Sequence, residues 1–137
     1  MIDQYSFGAS ALAFLIAFVA AGVFTIAFKI VYQVATPYPE KSLIREDNTA
    51  AAITLGAALL GYVLPLASAL THTVSLVEFA VWALLAGVIQ IVTALVVQRL
   101  VMRDFNARIQ RGEIAAATYM ASISLCVGIL NAACMTN

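Results

Sequence analysis

Four stretches of this 137-residue chain contain no Asp, Glu, Lys or Arg: residues 4–28, 48–77, 79–98 and 114–137. Each reaches the length of about 20 residues that a helix needs to cross a hydrocarbon core of roughly 30 Å. Lipid offers the backbone no hydrogen bonds, so a spanning segment must satisfy its own N–H and C=O groups. Long apolar runs without period-two alternation do this as helices rather than as barrel strands. Composition agrees, with 64% hydrophobic and 10% charged residues and a mean hydropathy of +0.99. Soluble domains are about half apolar and a quarter charged. We therefore read an all-α polytopic membrane protein, a single domain over 1–137 with four transmembrane helices.

The charges set an orientation. All seven basic residues (Lys29, Lys41, Arg45, Arg99, Arg103, Arg108 and Arg111) lie at the end of the first run or in the 36–47 and 99–112 connections. Under the positive-inside rule both longer loops face the cytoplasm and both termini face the periplasm. Asp3, with no basic residue near it, predicts that the first helix is retained and not cleaved as a signal peptide. The 99–112 segment, with four arginines against Asp104, either fixes topology or docks an anionic headgroup or an acidic partner. Arg99, Arg103, Arg108 and Arg111 are the candidates for that docking.

The chain also repeats itself. Shifted by 65 residues, Gly22 falls on Gly87, Gln33 on Gln98 and Ala50–Ala52 on Ala115–Ala117. Each unit, 11–71 and 76–136, holds two crossings, so the units are expected as parallel helical-hairpin repeats about an axis near the membrane normal. Pro37 and Pro39 are expected to stop a first helix running from about Ala11 to Ala35. Asn48 or Thr49 is placed to cap the second helix, and Ser75 with Glu78 has capping-box spacing for the third. The third helix is expected to continue past the bilayer toward Arg111.

Small residues form stripes at helical spacing: Ala50, Thr54, Ala57, Gly61, Pro65 and Ser68 on the second helix, and Ala117, Ala121, Ser124, Gly128 and Asn131 on the fourth. In membranes such stripes mark faces for close backbone packing. Pro65 frees the carbonyl of Gly61 within its helix. Gln90, in mid-span, is expected to bond Ser122, Ser124 or Thr54. Asn131 is expected at a depth differing from Gln90 by roughly 15 Å, too far for the two to meet. Both are candidates for helix packing or for a substrate path. Cys126 and Cys134, about 12 Å apart along one helix, are expected as buried packing residues. No Asp, Glu or Arg lies in mid-membrane and no catalytic or metal-ligand pattern is present, which argues against a proton-coupled machine, an enzyme and any cofactor.

"NTAAAITLGAALLGYVLPLASA" at 48–69 and "GILNAACM" at 128–135 strongly resemble the bacterial family of small inner-membrane proteins typified by YjfL, a family of unknown function with a duplicated two-helix unit. The resemblance covers almost the whole chain. It implies the inner membrane as compartment and, by association, an accessory role in envelope stress; it assigns no activity. In the second unit Glu113-Ile114 replaces the polar pair Asn48-Thr49. Two functions follow as expectations. One is a non-enzymatic homo-oligomeric scaffold or adaptor that recruits a cytoplasmic peripheral protein. The other is a passive channel or small-solute transporter formed by an oligomer, with Ser68, Gln90, Ser124 and Asn131 lining the path. The lipid bilayer is the common partner, and nucleic acid is not expected.

Overall fold

The computed structural model describes residues 4–36 and 40–135. Asp3 and the expected Pro37–Pro39 stop lie outside the described residues. Helix α1 spans Gln4–Ala35, the short α2 Glu40–Arg45, α3 Thr49–His72, α4 Leu76–Val96, the short α5 Phe105–Gln110 and α6 Ile114–Cys134. Four of these are long and apolar enough to cross a bilayer: Phe7–Ala35 with 29 residues, Thr49–His72 with 24, Leu76–Val101 with 26 and Ile114–Cys134 with 21. The first helix thus begins seven residues before the expected Ala11, because nothing between Gln4 and Ser10 breaks it.

Two features end α4 earlier than the expected continuation toward Arg111. It passes into a π-helical turn, Val97–Val101, in which the Met102 N–H reaches back to the Val97 carbonyl at 2.8 Å. The chain then turns, and α5 folds back so that Phe105 and Ile109 are fully buried. At the other end the Ser75 hydroxyl accepts the Glu78 N–H at 3.1 Å, so the start of α4 is capped as its sequence predicts.

Helix α3 occupies the centre. One side packs along α6; another packs against α1 and α4. Helix α4 also reaches α6, whereas α1 makes no substantial contact with α6 among the described residues. Aromatic contacts join α1 to α3 and α1 to α4. Tyr62 stacks on Phe28 with centroids 4.3 Å apart and donates its hydroxyl hydrogen to the Ala83 carbonyl at 3.1 Å. Phe24 meets Phe79 edge-on at 5.6 Å. Such pairs add about 0.5–1.5 kcal/mol beyond their area. Phe14, Phe18, Val23, Ile26 and Ile30 of α1 point outward.

Helices α3 and α6 start at the same end of the molecule, the end that carries the basic connections, and run parallel. Ser68 Oγ donates to the Ala132 carbonyl at 3.0 Å, and Gly61 lies against Ser124 and Gly128. The partners are thus 63 to 67 residues apart in sequence throughout the seam. Other features recur at an interval of 65: α2 starts at Glu40 and α5 at Phe105, and α3 starts at Thr49 and α6 at Ile114. The positive-φ residues that end the two short helices, Asp47 (φ 59°) and Gly112 (φ 78°), keep the same interval.

That left-handed conformation is needed to turn directly from α5 into α6, and it favours glycine. A Cβ at Gly112 would touch nothing within 4 Å, so any cost of Gly112→Ala is backbone strain alone. The expected outcome is a loss of about 1 kcal/mol or slightly more in reversible unfolding in mixed micelles. Unchanged stability would contradict the assigned backbone conformation.

Candidate functional site

Two constellations gather the polar residues of this chain, one inside the bundle and one at its basic end.

The inner one begins with Pro65. Lacking an N–H, it leaves the Gly61 carbonyl without its helical donor, four residues back. Gln90 Nε2 of α4 supplies the missing hydrogen bond to that oxygen. Sequence reasoning expected Gln90 to bond Ser122, Ser124 or Thr54; its amide instead goes to a backbone acceptor, the carbonyl that Pro65 leaves open. Thr54 instead turns its hydroxyl back to the Ala50 carbonyl at 2.9 Å. The close approach of α3 and α6 occurs at the same level. A Cβ on Gly61 would lie 2.6 Å from the Ser124 carbonyl oxygen, and a Cβ on Gly128 would fall 2.8 Å from the Gly61 Cα. No side chain fits at either position.

Asn131 Nδ2 donates to the Ala86 carbonyl at 3.4 Å, one helical turn along α4 from Gln90. The two amides do not bond each other, but the expected depth difference of roughly 15 Å is an overestimate. It treated the helices as upright and level at the membrane face, and packed helices are neither. Gly61, Pro65, Gln90, Ser124, Gly128 and Asn131 are thus brought together as one buried seam, with Ser68 extending it. The cysteines are not part of it. Cys126 and Cys134 are both exposed, because a thiol is apolar enough to face lipid and nothing drives it inward. An apolar groove of about 160 Å³ opens between α1 and α4 beside Tyr62 and Gly87.

At the basic end, Asn48 is the residue that caps α3: its Oδ1 accepts the Ala51 N–H at 3.0 Å. Thr49 is the first helical residue and is exposed. The Asn48 Nδ2 donates to the Ile109 carbonyl at 2.9 Å, tying the start of α3 to the end of α5. Glu113, the residue at the corresponding place before α6, caps nothing. It accepts from Arg108 Nε at 2.7 Å and lies 3.5 Å from Arg111 Nη2. The hydrogen bond from Arg108 holds the Glu113 carboxyl below the usual carboxylate range, and the same bond raises the Arg108 guanidinium further. Sequence reasoning missed this role of Glu113; its signal was an acid five residues after Arg108 and two after Arg111. The four arginines therefore divide. Arg108 and Arg111 face Glu113, while Arg99 and Arg103 are exposed and form no ion pair among the described residues.

A family model described as Domain of Unknown Function (DUF350) matches residues 6–135. The chain is 39% identical over 127 residues to the UPF0719 inner membrane protein YjfL of Escherichia coli (strain K12), an alignment covering 93% of this chain and 96% of that relative. The protein of the same name from Escherichia coli O157:H7 aligns with the same identity and coverage. No solved structure matches.

Two outcomes test these constellations. Gln90→Leu strands the Gly61 carbonyl and is expected to cost about 1–2 kcal/mol. In a Pro65→Ala background the restored N–H can reach that carbonyl, so the cost should shrink by about 1 kcal/mol; additive effects in the double-mutant cycle would refute the assignment. For the ion pair, a depressed carboxylate contributes stability that is present above its ordinary pKa and is lost as pH falls through the lowered one. Acid titration of unfolding should show a loss of stability below the ordinary carboxylate range that Glu113→Gln lacks.

Proposed function

The chain belongs to the DUF350 family, and on that premise we propose that this four-helix inner-membrane protein is a non-enzymatic, homo-oligomeric scaffold or adaptor. In this reading the basic end faces the cytoplasm, the termini face the periplasm, and a peripheral protein partner linked to envelope stress docks at that end. The two helical hairpins, 11–71 and 76–136, are read as copies of one unit.

The observation that carries the reading is the construction of the basic end. The connections before α3 and α6 are braced against each other by the Asn48–Ile109 bond, and Glu113 holds Arg108 and Arg111 in place. Arg99 and Arg103 are left exposed beside that brace, on the π-turn and just after it. Cations fixed on a braced surface bind an acidic partner at a lower ordering cost than cations on a floppy loop. The inner polar groups support the same reading. Gln90, Asn131 and Ser68 each spend a donor on a backbone carbonyl of a neighbouring helix, which is helix-packing chemistry.

Replacing both Arg99 and Arg103 by Glu should leave folding intact, since both side chains are exposed. In native membranes the double variant is expected to lose the peripheral proteins that cross-link to this end of the wild-type chain, while keeping its native mass. An unchanged cross-link profile would remove the adaptor reading.

A further inference from the structure

The two repeats are not used alike. Helix α3 meets α6 through the stripe that contains Gly61: Ala50 is 0% exposed, Thr54 1% and Ala57 6%. Moving 65 residues along gives Ala115, Tyr119, Ser122 and Cys126 on α6, and all four are exposed, Tyr119 by 46%. Helix α6 meets α3 with its opposite side, through Ala117, Ser124 and Gly128. Residues two apart on a helix lie on opposed faces, so α6 turns away the very stripe that α3 uses. The contact between the hairpins is therefore head-to-tail: the front of one packs on the back of the next.

The outer helices show the same direction. Helix α1 packs on α3 as α4 packs on α6, and α4 also lies against α3 of the preceding hairpin. Among the described residues α1 packs only on α3 and α4, and it is the least buried of the four spans. The two hairpins thus leave two surfaces unmatched among the described residues, the Cys126 stripe of α6 and the back of the first hairpin. Each is the counterpart of a surface already mated inside the chain.

We infer that the in-chain seam continues from one copy to the next, α6 of each copy seating its Ala115–Cys126 stripe on the back of α3 in a second copy, and that these head-to-tail contacts close into a ring. The occupant is a second copy because the exposed stripe holds the positions, 65 residues on, that α3 already presents to α6; Tyr119 and Cys126 in place of Thr54 and Gly61 set a wider separation between copies than within one. Parallel helices in one membrane plane can continue such a contact only around a closed circle or along an open row, and a closed circle leaves no end uncovered. The register follows by subtraction. Gly61 faces Ser124 and Gly128, so Cys126 faces positions 59 and 63 of the next copy. Val63 is 38% exposed there, and open space lies beside Gly56 one face-turn away. This inference rests on the homo-oligomeric reading above and names its interface.

The native thiol at 126 makes the test direct. Val63→Cys is introduced in a Cys134→Ser background, native membranes are treated with a mild oxidant, and the native mass of the unmodified protein is measured in nanodiscs. Positions 63 and 126 lie on opposite sides of the in-chain seam, so a disulfide between them must join copies. The expected result is a ladder of species rising in steps of one 14.5 kDa chain to a fixed maximum, abolished by adding Cys126→Ser. A cross-linked dimer formed equally well by Cys134→Ser alone, in which Cys126 is the one remaining thiol, would mean that α6 pairs face to face with another α6, which overturns the head-to-tail ring. An oligomeric mass without the ladder also overturns this interface while leaving the homo-oligomeric reading standing. A single-chain mass overturns both.

Discussion

A backbone carbonyl without a donor is tolerable in water and expensive in lipid, where no solvent completes its hydrogen bonds. Pro65 creates such a carbonyl at Gly61, in the middle of the central helix, and the rest of the bundle is arranged around its satisfaction. Gln90 must come to it, which fixes the rotation and height of α4. Gly61 must also stay bare, because α6 crosses there with its own Gly128. One imino acid thus couples three helices: it opens a bond in α3, which α4 closes, at the level where α6 makes its nearest approach.

The basic end solves the same problem in the opposite manner. There, water is close, and the terminal groups of short helices could be hydrated. They are nonetheless bound to protein: Asn48 uses both ends of its amide, one to cap α3 and one to hold the last turn of α5. Asn48 and Glu113 stand at corresponding places before parallel helices and do different work, one through neutral hydrogen bonds and one through charge. The result is a stiff rim above the buried seam.

The amino-acid sequence made much of this legible. Charge-free runs reported the number of spans because each charge in lipid is costly, and Asn48 and Ser75 announced helix starts because short polar side chains accept backbone N–H groups. Pro65 was visible as a residue that frees a carbonyl, and Gln90 as a mid-span amide whose partner was sought among Ser122, Ser124 and Thr54. That they solve each other was not visible, because periodicity gives the face of a helix and not its neighbour. The π-turn at Val97–Val101 escaped for a similar reason: one added residue in an apolar helix changes no pattern of hydropathy. Cys126 and Cys134 misled because burial statistics come from proteins surrounded by water. In lipid the outside is as hospitable to a thiol as the inside.

The four spans are unequal in length. At 1.5 Å per residue, the 29 residues of the first reach roughly 43 Å, whereas the 21 of the last reach roughly 31 Å, close to the thickness of the hydrocarbon layer. The short helix belongs to the tightly packed seam and the long one lies at the periphery with the least burial. Hydrophobic mismatch therefore falls on the element freest to answer it. In a thinner bilayer α1 leans further and in a thicker one it straightens, while the α3–α6 pair keeps its angle. The bundle carries an adjustable strut beside a rigid core, and membranes of differing thickness are met by tilt at its edge.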